Sequence, residues 1–167
     1  AVVREVERFD VLIGRLTGLP EPAANVPTRI LALARPTQLA ELRPAQTIGL
    51  LSLGIRSNVI IGHAPAAKRR LVSERLLHQY IHASLRGREM RPHPSWYEEG
   101  LVALLSAARV RGDSLVIGDF PWSLKTNARS PAWGTVDELI GIGPEDRLDS
   151  EERRSFLAQS WALVRYL

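Results

Sequence analysis

Apolar residues recur at Val3, Val6, Phe9, Leu12, Ile13 and Leu16, the spacing of an amphipathic helix over Val2 to Leu16 that ends near Gly18. Leu19 to Asn25, rich in Pro and Ala, reads as a connector, and Val26 to Ala34 reads as a strand. Pro36 to Leu42 predicts a short helix. Thr47 to Leu53 and Asn58 to Gly62 predict a hairpin turned at Gly54-Ile55-Arg56-Ser57, with Val59-Ile60-Ile61 its most strand-like trio. Ala66 to Leu85 carries the longest helical pattern, with neither Pro nor Gly between Pro65 and Gly87. Leu71, His78, Ile81, His82 and Leu85 fall on one side of that helix and Val72, Leu76, Tyr80 and Ala83 on the other. A helix apolar on two sides is predicted to be buried.

Further on, Ser95 with Glu98 three residues later has the form of a capping box and starts another helix. Gly112-Asp113 predicts a hairpin turn between Arg109-Val110 and Ser114 to Ile117. Asp149 with Glu152 caps a last helix, whose buried positions read as Phe156, Leu157, Leu163 and Val164. Trp122, Trp133 and Trp161 read as core or rim packing. Helices and short strands in this order make an α+β domain.

The chain has 167 residues, 45% of them hydrophobic, which suits one domain, expected to span residues 1–167 with an aliphatic core. Cysteine is absent, so disulfide frameworks and thiolate zinc sites are excluded while the compartment stays open. The net charge is +4 and the pI about 10.1, carried by scattered arginines. Lys68-Arg69-Arg70 is the one tight basic cluster and has no aromatic residue interleaved for base stacking, so a nucleic-acid module is disfavoured. No run approaches the roughly eighteen apolar residues of a membrane-spanning helix, and the start lacks a signal-peptide layout.

Chemistry concentrates at His78-Gln79-Tyr80-Ile81-His82 and at Glu99, seventeen positions after the second histidine. Two imidazoles four residues apart share a helix face. If Glu98 is spent on the cap, Glu99 is left with Trp96, Val102, Ala103 and Ser106 on an apolar and small-residue face, where a bare carboxylate is costly. A metal ion answers both demands. Two histidines and a glutamate form a three-ligand set that leaves one position of tetrahedral zinc open for water, the arrangement of a catalytic site. The competing account satisfies these side chains with each other or with backbone groups.

Leu77-His78-Gln79-Tyr80-Ile81-His82 and Trp96-Tyr97-Glu98-Glu99-Gly100-Leu101 resemble the gluzincin zinc metallopeptidases, whose pattern is HExxH followed by a glutamate ligand on the next helix, and are most similar to the bacterial peptidase-MA-like group. Gly118-Asp119-Phe120-Pro121-Trp122 and the segment from Ala158 to Leu167 are similar to later parts of that group, so the resemblance covers about Thr47 to Leu167. It implies one zinc ion on His78, His82 and Glu99, and a zincin-like fold in which a small mixed sheet packs on two zinc-binding helices with a C-terminal helix beside them. It further implies a polypeptide in the zinc cleft, a bacterial source whose compartment stays open, an extracytoplasmic one included, and helical repeats after Leu167 in a longer chain from which this one is excised.

Two departures from the pattern change the expected activity. Gln79 stands where the family has the glutamate that takes a proton from zinc-bound water, and an amide has no useful basicity. Leu157 stands where it has the tyrosine that stabilises the oxyanion. Tyr80 and Tyr97 point roughly 160° from the metal face of their helices, and Tyr166 lies opposite Leu157, so none replaces it. General acid–base catalysis is worth about 10² to 10⁴ in rate and one oxyanion donor about 10² to 10³. The expectation is a zinc-binding, metallopeptidase-like pseudoenzyme; the alternative is an active zinc-dependent peptide or ester hydrolase using His63, His93 or a second water as a substitute base. For Leu157 the competing account is plain core packing.

Overall fold

A computed structural model describes residues 2–18, 27–33, 37–38, 50–52, 57–63, 74–88, 93–111, 114–121, 124, 133–144 and 146–167, and among these residues periodicity and turn chemistry place the following elements. In order these are α1 (Val2–Thr17), β1 (Thr28–Leu33), β2 (Leu50–Ser52), β3 (Asn58–His63), α2 (Glu74–Arg88), α3 (Ser95–Ser106), β4 (Arg109–Arg111), β5 (Ser114–Val116), α4 (Val136–Gly141) and α5 (Ser150–Tyr166). The α+β class holds. The chain divides into two units, Ala1–Met90 and Arg91–Leu167.

In the first unit, α1 buries Val6, Phe9 and Ile13, positions of the stripe its sequence shows, and leaves Leu16 exposed. It stops at Gly18, whose φ of 65° is in the left-handed region that glycine enters without steric cost. The expected hairpin forms: β2 pairs antiparallel with β3, Leu51 opposite Ile60. β1 pairs with the other edge of β3 in parallel, Ile30 opposite Ile60, giving a mixed sheet of order β1-β3-β2. Ile60, in the central strand, is wholly buried.

The helix α2 packs on β3, and Gly62 marks the approach: a methyl group there would stand 3.2–3.3 Å from the Leu76 side chain. Leu76, Leu77, Ile81, Ala83 and Leu85 are buried, so the helix is apolar on two sides as its sequence predicts. It runs three residues past Leu85, through Gly87 to Arg88, because a glycine near a helix end costs too little to stop it. Its expected first turns, 66–73, lie outside the described residues, as do Lys68-Arg69-Arg70 and most of the helix expected at Pro36 to Leu42, of which Thr37 and Gln38 are helical. Ser84 on α2 donates a hydrogen bond to Asp10 of α1 at 3.0 Å.

The second unit is built on α3 against α5. Gly100 sets their separation, since a Cβ there would run into the Ser160 carbonyl and stand 2.6 Å from Val164 Cγ2. Around this contact Ala103, Leu124, Leu139, Phe156 and Leu157 form the core, flanked by Trp96, Phe120, Ile142, Leu148, Trp161 and Leu163. β4 and β5 make the expected hairpin, Val110 opposite Leu115. Asp149 caps α5 by accepting from the backbone N–H groups of Glu151 (2.7 Å) and Glu152 (2.9 Å), and Glu152 returns the bond to the Asp149 N–H at 2.8 Å. Of the expected buried positions on α5, Phe156 and Leu157 are buried while Leu163 and Val164 are half-buried. Trp133 is 46% exposed, so it does not serve the core. No helix among the described residues is long and apolar enough to cross a membrane.

Candidate metal centre

α2 and α3 carry the predicted ligands. His78 and His82, four residues apart, lie on one face of α2, their ring centroids 4.9 Å apart and their planes at 71°. His82 is 7% exposed and His78 half-buried. Such edge-to-face imidazoles, one turn apart, present ring nitrogens to a common region. Gln79, between them in sequence, is half-buried.

The start of α3 differs from the capping box expected of Ser95 and Glu98. Ser95 is already the first helical residue; Pro94 occupies the cap position at φ −54°, ψ 139°, and no side chain caps this end. The Pro94 carbonyl instead accepts from the N–H groups of Tyr97 (3.0 Å) and Glu98 (3.1 Å). Proline's fixed φ and extended ψ deliver the chain into the helix one residue early, which leaves Ser95 inside the first turn. Glu98 therefore has no capping-box role, and its carboxylate sits in the first turn where the helix dipole favours negative charge.

Glu99 is placed by its neighbours rather than by elimination. Its side chain is 18% exposed, and Oε2 is withdrawn from solvent. Oε1 stands 3.9 Å from Nη2 of Arg153, a residue of α5 that is 63% exposed. Arg153 carries no sequence signal that separates it from the other arginines of the chain; only the packing of α5 on α3 brings it to Glu99.

His78, His82 and Glu99 each offer one donor atom, and these three atoms lie within 4.8 Å of one another. Zinc bound at about 2.0–2.1 Å in a tetrahedron holds its ligand atoms about 3.4 Å apart, so side-chain rotation of about an ångström closes the set. Two neutral imidazoles and a carboxylate suit zinc and other borderline divalent ions. The residues fit one divalent metal ion.

His93, His63, Tyr166 and Leu157 are the remaining candidates. His93 stacks edge-on against Tyr97, centroids 5.0 Å apart, and Tyr97 against Trp96 at 5.7 Å. His63 is the last residue of β3, and its side chain lies outside the described residues. Tyr166 is 88% exposed. Leu157 is 7% exposed within the core of the second unit, the environment of a packing residue. Comparison with known protein families, with curated proteins and with solved structures gives no match.

Proposed function

We propose that the chain is a zincin-like, zinc-binding domain of metallopeptidase type whose catalytic power has been lost, and that it uses the metal site to bind a polypeptide. The observation that carries the reading is the group of three donor atoms within 4.8 Å, with an amide, Gln79, in the place next to His78 where a proton carrier is needed. His78, His82 and Glu99 would hold the ion, which when bound supplies Lewis acidity toward a carbonyl and lowers the pKa of a bound water toward about 7. Gln79 can hydrogen-bond a ligand through its amide but cannot accept and pass on a proton.

Two measurements test this. Purified protein should carry about one zinc per chain, and chelation should lower its melting temperature, because an ion held only by the folded state stabilises it by about 4 kcal/mol at a thousandfold excess over its dissociation constant. No bound metal and no response to chelator would overturn the metal reading. For the chemistry, Gln79→Glu is assayed on an unstructured protein substrate. Restoring the base should raise cleavage by about 10² to 10⁴ over a wild type that is nearly inert. A wild type that cleaves at rates typical of metallopeptidases, unimproved by Gln79→Glu, sinks the idea of a silenced site. Leu157→Tyr, the companion change, must force a larger side chain into a packed core at a cost of about 1–3 kcal/mol, so Gln79→Glu alone is the decisive variant.

A further inference from the structure

Arg153 is a charged group beside Glu99 that would not serve as a metal ligand. Its 3.9 Å separation from Glu99 Oε1 exceeds the roughly 2.7–2.9 Å of a charge-assisted hydrogen bond, so the attraction is Coulombic and the guanidinium keeps donors for another anion. It is also 63% exposed, so a ligand arriving from solvent can reach it. Charge completes the case. Glu99 cancels one of the two charges of a divalent ion, neutral imidazoles cancel none, and Arg153 adds one, so these groups together carry a net charge of about +2. A glutamate at position 79, next to His78 in the chain, would add a negative charge, and Gln79 adds none.

Resting on the metal reading above, we propose that the loaded site is a carboxylate receptor: one ligand oxygen takes the open position on the ion and the other is held by Arg153. The ligand class is a peptide bearing a free carboxylate, at its C-terminus or on an acidic side chain. The substitution that ends proton transfer is then the one that favours this ligand, because a hydrolase must bind an uncharged amide and a receptor for a carboxylate gains from every negative charge removed from its wall.

The test is isothermal titration of the zinc-loaded full chain with three probes: N-acetyl-dialanine with a free C-terminus, the same peptide as its C-terminal amide, and N-acetyl-aspartate amide. At least one carboxylate probe should bind roughly tenfold or more tighter than the dialanine amide, and which of the two does so identifies the source of the carboxylate. Arg153→Ala should weaken that binding roughly ten- to a hundredfold, the worth of one charge-assisted hydrogen bond, with Arg153→Lys intermediate. Gln79→Glu should weaken it as well, whereas Arg154→Ala, which removes an equal charge from the exposed neighbouring position, should not. Zinc content is measured for every variant, so that loss of metal is not read as loss of ligand. Equal binding of acid and amide by zinc-loaded wild type, or undiminished binding by zinc-loaded Arg153→Ala, overturns the receptor while the metal centre stands. A wild type that holds no zinc overturns both.

Discussion

Gly100→Ala adds one methyl group and should cost more than its size suggests. In an isolated helix alanine is better than glycine by about 1 kcal/mol, so local propensity alone predicts a gain. The structure predicts the reverse. The new Cβ would run into the Ser160 carbonyl and stand 2.6 Å from Val164 Cγ2 and 2.7 Å from the Ser160 carbonyl carbon, against about 3.5–4.0 Å for carbon atoms at optimal separation. Val164 can rotate away, but the backbone of α5 cannot, so α3 and α5 must part by about 1 Å. A gap of that size forfeits a quarter to a half of each contact it opens, and overpacking of a well-packed site costs about 1–3 kcal/mol. Taking the upper end, because backbone rather than a rotamer must yield, and subtracting the propensity gain leaves a net loss of about 2 kcal/mol. For a chain of this length that lowers the melting temperature by roughly 4–8 °C. Thermal and urea unfolding followed by circular dichroism measure it, with Gly87→Ala as the control. Nothing lies within 4 Å of a Cβ at Gly87, also helical, so alanine there should be neutral or stabilising by up to about 1 kcal/mol. A Gly100→Ala protein as stable as wild type would refute the close approach of α3 and α5, and with it the placement of Arg153 beside Glu99.

Two further outcomes concern α5. The Asp149 carboxyl is held below its ordinary pKa because the N–H groups of Glu152 and Glu151 donate to it, so its contribution is complete above the ordinary aspartate value of about 3.9 and is lost as pH falls through the folded-state value. Asp149→Ala should therefore lower the melting temperature at neutral pH, with the difference from wild type shrinking below about pH 4; a difference constant down to pH 2 argues against the charged cap. Ser160 is wholly buried, and its Oγ has no hydrogen-bond partner among the described residues. Ser160→Ala removes an unsatisfied hydroxyl and should leave stability unchanged or raise it by about 1 kcal/mol; a loss above about 1 kcal/mol in urea unfolding would point to a partner for that hydroxyl.

Where an interaction closes within a few residues, the sequence by itself determined it. The stripe of Val6, Phe9 and Ile13 and the stop at Gly18, the β2–β3 and β4–β5 hairpins, and the reciprocal bonds of Asp149 and Glu152 all join groups near in the chain, so residue type and spacing suffice. The same kind of signal stands at α4, where Thr135 and Glu138 form a capping box of the S/T-x-x-E form. His78 and His82 belong with these, since one helical turn sets them side by side. Ser95 shows the limit of a local signal, because Pro94 before it offered a second way to start the helix and took the cap.

Tertiary structure alone decided the rest, since the groups concerned are far apart in sequence and meet only when buried surfaces pack. The parallel pairing of β1 with β3 joins residues thirty positions apart, with β2 between them in the chain. Nothing near Gly100 in the chain marks it as a contact point, yet its missing Cβ is what lets α5 approach α3. Leu157 packs among Ala103, Leu124 and Phe156, the first two of them far from it in the chain. Glu99, already set apart from Glu98 in the sequence, has its donor atom within 4.8 Å of those of the two histidines, and Arg153 stands out from the other arginines only because helix packing sets it 3.9 Å from Glu99. Spacing can nominate ligands on one helix, but the partners that complete or charge a site are chosen by which surfaces exclude water together.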